Sequence, residues 1–157
     1  MRTFGLMLAA LCLQIASAKL LGGGFCDFLT PVLLYWTVTQ KLQMMVLWTL
    51  LTGILVSVIF PQPILVLLLG FYLSQWLFRV SFFEDWRARP GMVFAAGAVF
   101  SFIWHGCGLI YAAAFADLLS SPLAFSTLAT SVLTAGLISM IFFYTASKKA
   151  EMEGRAW

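Results

Sequence analysis

Apolar runs alternate with short polar stretches along the whole chain. Six such runs occupy residues 3–21, 28–38, 44–60, 64–78, 92–115 and 123–146, separated by glycines, prolines or charged residues. Most of them approach or exceed the roughly 17–25 residues that a helix needs to cross the hydrocarbon core of a bilayer. The pattern predicts an all-α integral membrane protein, a compact bundle of about six transmembrane helices.

The second run, residues 28–38, is shorter than the others. Pro31 stands near its start, where a missing backbone N–H is tolerated. We expect a tilted helix, a locally thinned bilayer or a partly re-entrant helix here. Asp27, in the outer loop before this run, has two interpretations: it caps the helix, since Asp is a favoured N-cap residue, or it is a solvated loop acid.

The first run follows Arg2 and ends near Ala16-Ser17-Ala18, a pattern also found at the cleavage site of secretory signal peptides. We expect residues 1–18 to be retained as a membrane span. A cleaved signal peptide is the alternative.

The composition excludes a separate soluble domain. Hydrophobic residues make up 62% of the 157 positions and charged residues 10%, whereas soluble domains carry around 25% charged residues. We predict one transmembrane domain over residues 1–147, followed by a charged cytoplasmic tail at 148–157. Three widely spaced cysteines and one histidine provide neither a zinc motif nor a disulfide framework.

The distribution of positive charge predicts the orientation. If the N-terminus is cytoplasmic, all but one of the nine Lys and Arg residues fall in cytoplasmic segments, the exception being Lys19. This asymmetry follows the positive-inside rule and predicts an N-in, C-in multi-pass protein. The net charge of +3 is thereby explained by topology, and we expect no nucleic-acid partner.

His105 is the one ionisable residue in the uncharged run 92–115. An ionisable residue at membrane depth is costly unless it is paired, so it marks a candidate site. Because the spans carry no acid, a proton relay is disfavoured. We favour a neutral histidine that is hydrogen-bonded across a helix contact. A single axial ligand to a pigment is the alternative.

Small residues recur at helical spacing in the fifth and sixth runs. This pattern predicts close packing between the two spans, with a polar cavity that admits a substrate as the alternative. The candidate helix-packing or partner contacts are Gly97, Ser101, His105, Gly108, Ala112, Thr127, Ser131 and Ala135.

The longest polar connection, residues 79–91, combines arginines with aromatic residues, which is typical of a segment in the headgroup layer. Its candidate cytoplasmic interface consists of Arg79, Trp86, Arg87 and Arg89. The chain contains no recognisable catalytic set and no phosphate-binding loop, so we expect no enzymatic activity, cofactor or metal.

The layout resembles the MreD family of bacterial rod shape-determining proteins. The resemblance covers most of the chain, mainly as a hydropathy pattern. The matching residues are Leu13-Gln14, Asp27-Phe28-Leu29, Leu33-Leu34-Tyr35-Trp36, Gly53-Ile54-Leu55 and the short basic tail. Residues 56–63 depart from the family pattern, because they lack its Asp and second Gly.

The resemblance implies a non-catalytic scaffold in the bacterial inner membrane, within the cell-elongation and peptidoglycan-synthesis machinery. Its implied partners are MreC-like proteins, wall-synthesis proteins and membrane lipids. Two alternatives remain. The first is a substrate-binding subunit of a vitamin transporter, which the similar architecture of such subunits suggests. The second is an accessory subunit of a larger membrane complex that binds a pigment or lipid through His105.

Overall fold

The computed structural model describes residues 2–20, 26–59, 63–80, 89–116 and 122–152. These residues form six α-helices and no strand, which confirms the predicted all-α class. The helices are α1 (Arg2–Leu20), α2 (Leu29–Thr39), α3 (Leu42–Ile59), α4 (Ile64–Val80), α5 (Pro90–Ala116) and α6 (Pro122–Met152). The glycines at residues 22–24, which separate the first two apolar runs of the sequence, lie outside the described residues.

Three of the helices are long and apolar enough to cross a membrane, namely the segments Leu42–Ile59, Pro90–Phe115 and Phe125–Lys148. The other three are apolar but shorter. With 11 residues, α2 is the shortest, and at about 1.5 Å of rise per residue it covers roughly half of a 30 Å hydrocarbon core.

Proline marks the first residue of α5 and α6, Pro90 and Pro122. This position suits proline, because the first N–H of a helix has no partner within the helix. Pro63 immediately precedes α4, and its carbonyl accepts the backbone N–H groups of Val66 and Leu67. These three prolines therefore help to set where α4, α5 and α6 begin.

The short helix α2 lies at the centre of the bundle and contacts each of the other five helices. Eight of its residues are buried, including Leu33, Leu34 and Trp36, which are 0% exposed. A helix that is apolar on every side is expected to be buried on every side. The apolar character of α2 therefore reflects its central position, while the longer helices surround it.

Glycines allow the closest helix contacts. Gly97 of α5 lies against Ala135 and Ser139 of α6, so that a methyl group at position 97 would come within 2.8 Å of the Ala135 carbonyl oxygen. A methyl group on Gly70 of α4 would lie 2.8 Å from the Trp104 Cα atom of α5. Residues that lack a side chain thus let the backbones of α4, α5 and α6 approach one another.

The last helix is longer than predicted. The sequence places its end near residue 146 and assigns 148–157 to a tail, whereas α6 continues to Met152. Lys, Ala, Glu and Met are strong helix formers, so nothing in residues 148–152 stops the helix at the end of its apolar part.

Candidate functional site

A buried carboxylate begins the central helix. Asp27 is 0% exposed, and its Oδ1 atom accepts the backbone N–H of Thr30 at 3.0 Å. Phe28, the residue before α2, already has helical backbone angles, φ −88° and ψ −15°. Asp27 therefore stands at the N-cap position of the helical backbone, and its side-chain oxygen accepts the N–H three residues ahead, as an N-cap does. The prediction that Asp27 caps the second helix is therefore confirmed, and the alternative of a solvated loop acid is wrong.

The second carboxylate oxygen joins α2 to α5. Asp27 Oδ2 accepts hydrogen bonds from the Thr30 hydroxyl at 2.5 Å and the Ser101 hydroxyl at 2.6 Å. The Nε2 atom of His105 lies 3.4 Å from the same oxygen, beyond the usual range for an N–H···O hydrogen bond. Ser101 and His105 are one helical turn apart and therefore share a face of α5.

The spans carry no acid, yet an acid from outside them lies beside His105, which the sequence did not indicate. Asp27, which the sequence places in an outer loop, lies beside the middle of α5. The imidazole of His105 and the carboxylate of Asp27 therefore lie together inside the bundle, where each reduces the free-energy cost of burying the other.

Trp104 completes this contact between α2 and α5. Its Nε1–H donates to the Thr30 hydroxyl oxygen at 2.9 Å, while the Thr30 hydroxyl donates to Asp27. The ring of Trp104 is stacked on that of His105, with centroids 3.5 Å apart. These bonds form a chain from the indole through Thr30 to the carboxylate, in which each polar group has a partner.

The three residues before α2 donate their backbone N–H groups to side chains of neighbouring helices. Cys26 donates to Ser17 Oγ at 3.3 Å, Asp27 to Thr134 Oγ1 at 3.1 Å, and Phe28 to Gln14 Oε1 at 2.8 Å. Non-helical backbone is tolerated at membrane depth only where protein groups satisfy it. The side chains of α1 and α6 meet this requirement.

We call the following set the Asp27 cluster: Asp27, the side chains that contact it, and the side chains that bond Thr30 or the backbone of residues 26–28. Its members are Gln14, Ser17, Asp27, Thr30, Ser101, Trp104, His105 and Thr134. Sequence reasoning did not assign Thr30 or Ser17 to a site. The Asp-x-x-Thr spacing before an apolar run was a signal for Thr30, whereas nothing in the sequence indicates that Ser17 reaches Cys26.

The small residues of α5 and α6 make several different kinds of contact in the structure. Gly97 packs against Ala135 and Ser139 of α6, while Ser101 and His105 contact Asp27. Ser131 is buried and donates to the carbonyl of Thr127 within its own helix. Gly108 and Ala112, further along α5, are half-buried.

The candidate cytoplasmic interface is described only at its ends. Arg79 and Arg89 are exposed, and Arg79 Nη1 lies 3.7 Å from the Met45 sulfur. Trp86 and Arg87 lie outside the described residues. The interface at residues 79–91 therefore stays a prediction.

A second polar contact, which the sequence did not indicate, joins α3 to α4. Thr49 and Gln75 are both 0% exposed. The Gln75 amide nitrogen donates to the Thr49 hydroxyl at 2.8 Å, and the hydroxyl lies 3.0 Å from the Gln75 amide oxygen. Like the Asp27 cluster, this pair satisfies interior polar groups with other groups of the same chain.

Within the described residues, no group of three or more His, Cys, Asp or Glu side chains is arranged to hold a metal ion. No protein-family model matches the chain, and neither the curated proteins nor the solved structures contain a significant match. The resemblance to the MreD family accordingly stays a prediction.

Proposed function

We propose that the protein is a non-catalytic scaffold or adaptor subunit of a bacterial inner membrane, similar in role to MreD. It crosses the membrane with six segments, N-in and C-in, and binds MreC-like and wall-synthesis proteins of the cell-elongation machinery. In this arrangement residues 26–28 enter the bundle as non-helical chain, and α2 is a half-span that continues the second crossing from the middle of the bundle.

The observation that carries this proposal is the position of the Asp27 carboxylate at the N-terminus of a half-span. Transporters with interrupted helices direct such a positive helix end at an anionic group of the substrate. Here the chain's own carboxylate holds that place, bonded to Thr30 and Ser101. Polar groups that hold the bundle together favour a structural role over substrate capture.

The structure gives less support to the two alternatives, a vitamin-binding transporter subunit and an accessory subunit that binds a pigment through His105. A vitamin-binding subunit needs a pocket with several convergent polar groups, whereas the groove that α1, α2 and α6 form is lined by apolar residues and one threonine. A pigment ligand needs a free imidazole nitrogen, and His105 Nε2 is buried beside Asp27.

Cross-linking in living cells, followed by affinity capture of the tagged full-length chain, tests the proposal. We expect specific enrichment of an MreC-like protein together with a wall-synthesis glycosyltransferase and transpeptidase. The charge-reversing double variant Arg87→Glu/Arg89→Glu should lower this enrichment several-fold, because it repels both anionic headgroups and an acidic partner surface. Lys19→Glu, at the opposite end of the bundle, is the control and should leave capture unchanged.

Two results separate the parts of the proposal. Unchanged capture by the double variant would remove residues 79–91 from the interface while leaving the scaffold role in place. Absence of wall-synthesis proteins from the captured material would overturn the MreD-like role itself. A coloured preparation that His105→Leu bleaches would favour the pigment-binding alternative.

A further inference from the structure

A narrow groove runs along the outer side of the bundle between α1 and α6, with the start of α2 as its floor. Its volume is about 290 Å³. Residues 6–13 of α1 and 138–145 of α6 form the walls, and Phe28, Pro31 and Val32 form the floor. The single polar side chain in the lining, Thr145, donates its hydroxyl to the Phe142 carbonyl. The groove therefore presents an almost purely apolar surface.

Water does not suit such a lining. A buried water needs two to four polar partners, and an apolar cavity of about 150 Å³ stays dry and binds benzene. The groove has nearly twice that volume and no free polar side chain in its lining. Its natural occupant is an apolar group.

The dimensions of the groove distinguish an acyl chain from a helix. Each wall extends over seven residue steps, or about 10 Å at 1.5 Å per residue, so the 670 Å³ of space between the atoms gives a cross-section of roughly 65 Å². A helix with side chains is about 10–12 Å across and needs a larger area, roughly 80–110 Å². A single extended hydrocarbon chain is thin enough to enter.

One end of the groove is basic. Gln14 and Thr134 both contact the residues before α2, which places the Leu13 end of α1 beside the Ile138 end of α6. The opposite end therefore brings Leu6 and Thr145 to one level. Beyond this level Lys148 of α6, one turn past Thr145, is exposed.

We propose that this groove binds one acyl chain of an anionic phospholipid, whose phosphate pairs with Lys148 at the basic end. The apolar walls hold the chain, and the lysine ammonium gives the preference for a negatively charged headgroup. The lining of the groove shares no residue with the Asp27 cluster, and the proposal does not depend on the proposed scaffold role.

Photo-cross-linking of the full-length wild-type protein tests the site directly. The probe is phosphatidylglycerol with a diazirine in one acyl chain, incorporated into phosphatidylcholine nanodiscs. We expect peptide mapping to place at least five-fold more adduct in residues 6–13 and 138–145 than in the apolar exposed face of α3. Adducts spread evenly over α1, α3 and α6 would overturn the proposal.

Two variants separate the contributions of the chain and the headgroup. Ala9 lines the groove and is exposed, so Ala9→Phe should fill the groove and lower adduct yield there at least ten-fold. Ala95→Phe, at an exposed position of α5, is the matched control and should have no effect. Lys148→Gln should lower the preference for phosphatidylglycerol over diazirine-labelled phosphatidylcholine several-fold, while Lys19→Gln should preserve it.

Equal labelling by the two lipids in the wild type would overturn the headgroup assignment. Preserved labelling in Ala9→Phe would overturn the chain assignment, provided that the variant keeps the wild-type tryptophan emission. If Ala9→Phe fails to fold, the wild-type adduct map and the Lys148→Gln comparison decide the proposal. A disulfide between copies of an Ala9→Cys variant, together with no lipid adduct, would assign the groove to a second copy of the chain.

Discussion

Ser101 donates a 2.6 Å hydrogen bond to the carboxylate of Asp27, which precedes it by 74 residues in the chain. The bond fixes the start of the short central helix α2 against the middle of α5. Because the same carboxylate caps α2 through Thr30, one side chain determines both where α2 begins and where it sits. The position of α2 in turn determines the packing of the five helices around it.

Removing the Asp27 carboxylate should be strongly destabilising. Asp27→Ala leaves the Thr30 N–H without its cap acceptor, leaves the Ser101 hydroxyl without this bond and removes the negative charge beside His105. We expect the free energy of unfolding to fall by about 3–5 kcal/mol. Asp27→Asn retains an acceptor for the Thr30 N–H and should cost less, about 1–3 kcal/mol.

Unfolding of the purified protein in mixed micelles, followed by tryptophan fluorescence during titration with dodecyl sulfate, measures both variants. Thr130→Ala is the control, because Thr130 is exposed and bonds only within its own helix, to Ser126. A free energy within 1 kcal/mol of wild type for Asp27→Ala would contradict the central role of this carboxylate.

The contact between Thr49 and Gln75 should appear as coupling between α3 and α4. In a double-mutant cycle with Thr49→Val and Gln75→Leu, we expect a coupling free energy of about 0.6 kcal/mol, the average for hydrogen bonds between membrane helices, and at most about 1.7 kcal/mol. The same unfolding titration provides the four free energies. Strict additivity of the two single substitutions would show that the bond contributes nothing to stability.

The number and approximate bounds of the helices could be predicted from sequence, because an apolar run needs no knowledge of its neighbours. The central position of α2 could not be predicted in this way. Its short length suggested a marginal segment, such as a tilted or re-entrant helix, yet it is the helix that all the others contact. Hydropathy measures how apolar a helix is, and it does not distinguish lipid from protein as the surroundings.

The polar contacts were harder to predict for a related reason. His105 was recognisable as a candidate because it is the single histidine in an uncharged run. Its neighbour Asp27 belongs to a segment that looked like a solvated loop, since polar residues beside glycines usually are. Only the three-dimensional path of the chain brings Asp27 next to Ser101, and no spacing along the sequence encodes that path.

The packing of Gly97 against α6 provides a comparison between two glycines of the same helix. A methyl group at position 97 would collide with Ser139 and the Ala135 carbonyl, whereas one at Gly106 would meet nothing within 4 Å. Gly97→Ala should therefore lower the free energy of unfolding by about 1–3 kcal/mol. Gly106→Ala should leave it unchanged or raise it by up to about 1 kcal/mol, since alanine is the better helix former.

The quantity to compare is the change in the free energy of unfolding caused by each of the two alanine variants. Both variants add the same methyl group, so a difference between them reports on the surroundings of the two glycines. Dodecyl sulfate titration of each variant and of the wild type measures this change. Equal free energies for the two variants would contradict close packing of α5 and α6 at Gly97.

The position of residues 26–28 inside the bundle can be tested with the native thiol of Cys26. This residue directly precedes Asp27, and its N–H bonds Ser17 inside the bundle. In the variant Cys12→Ala/Cys107→Ala, Cys26 is the single cysteine that remains. Because Cys26 is half-buried, we expect a membrane-impermeant maleimide, added to intact cells, to label it slowly, and to label it rapidly once dodecyl sulfate unfolds the protein.

Lys19→Cys in an otherwise cysteine-free chain is the matched control, because position 19 is exposed near the end of α1. In the N-in, C-in orientation it should react from outside the cell within minutes, at least ten-fold faster than Cys26. Rapid labelling of Cys26 from outside would place Asp27 in a solvated outer loop and contradict the buried cap. Protection of both cysteines until the cells are broken open would instead invert the proposed orientation, since position 19 would then face the cytoplasm.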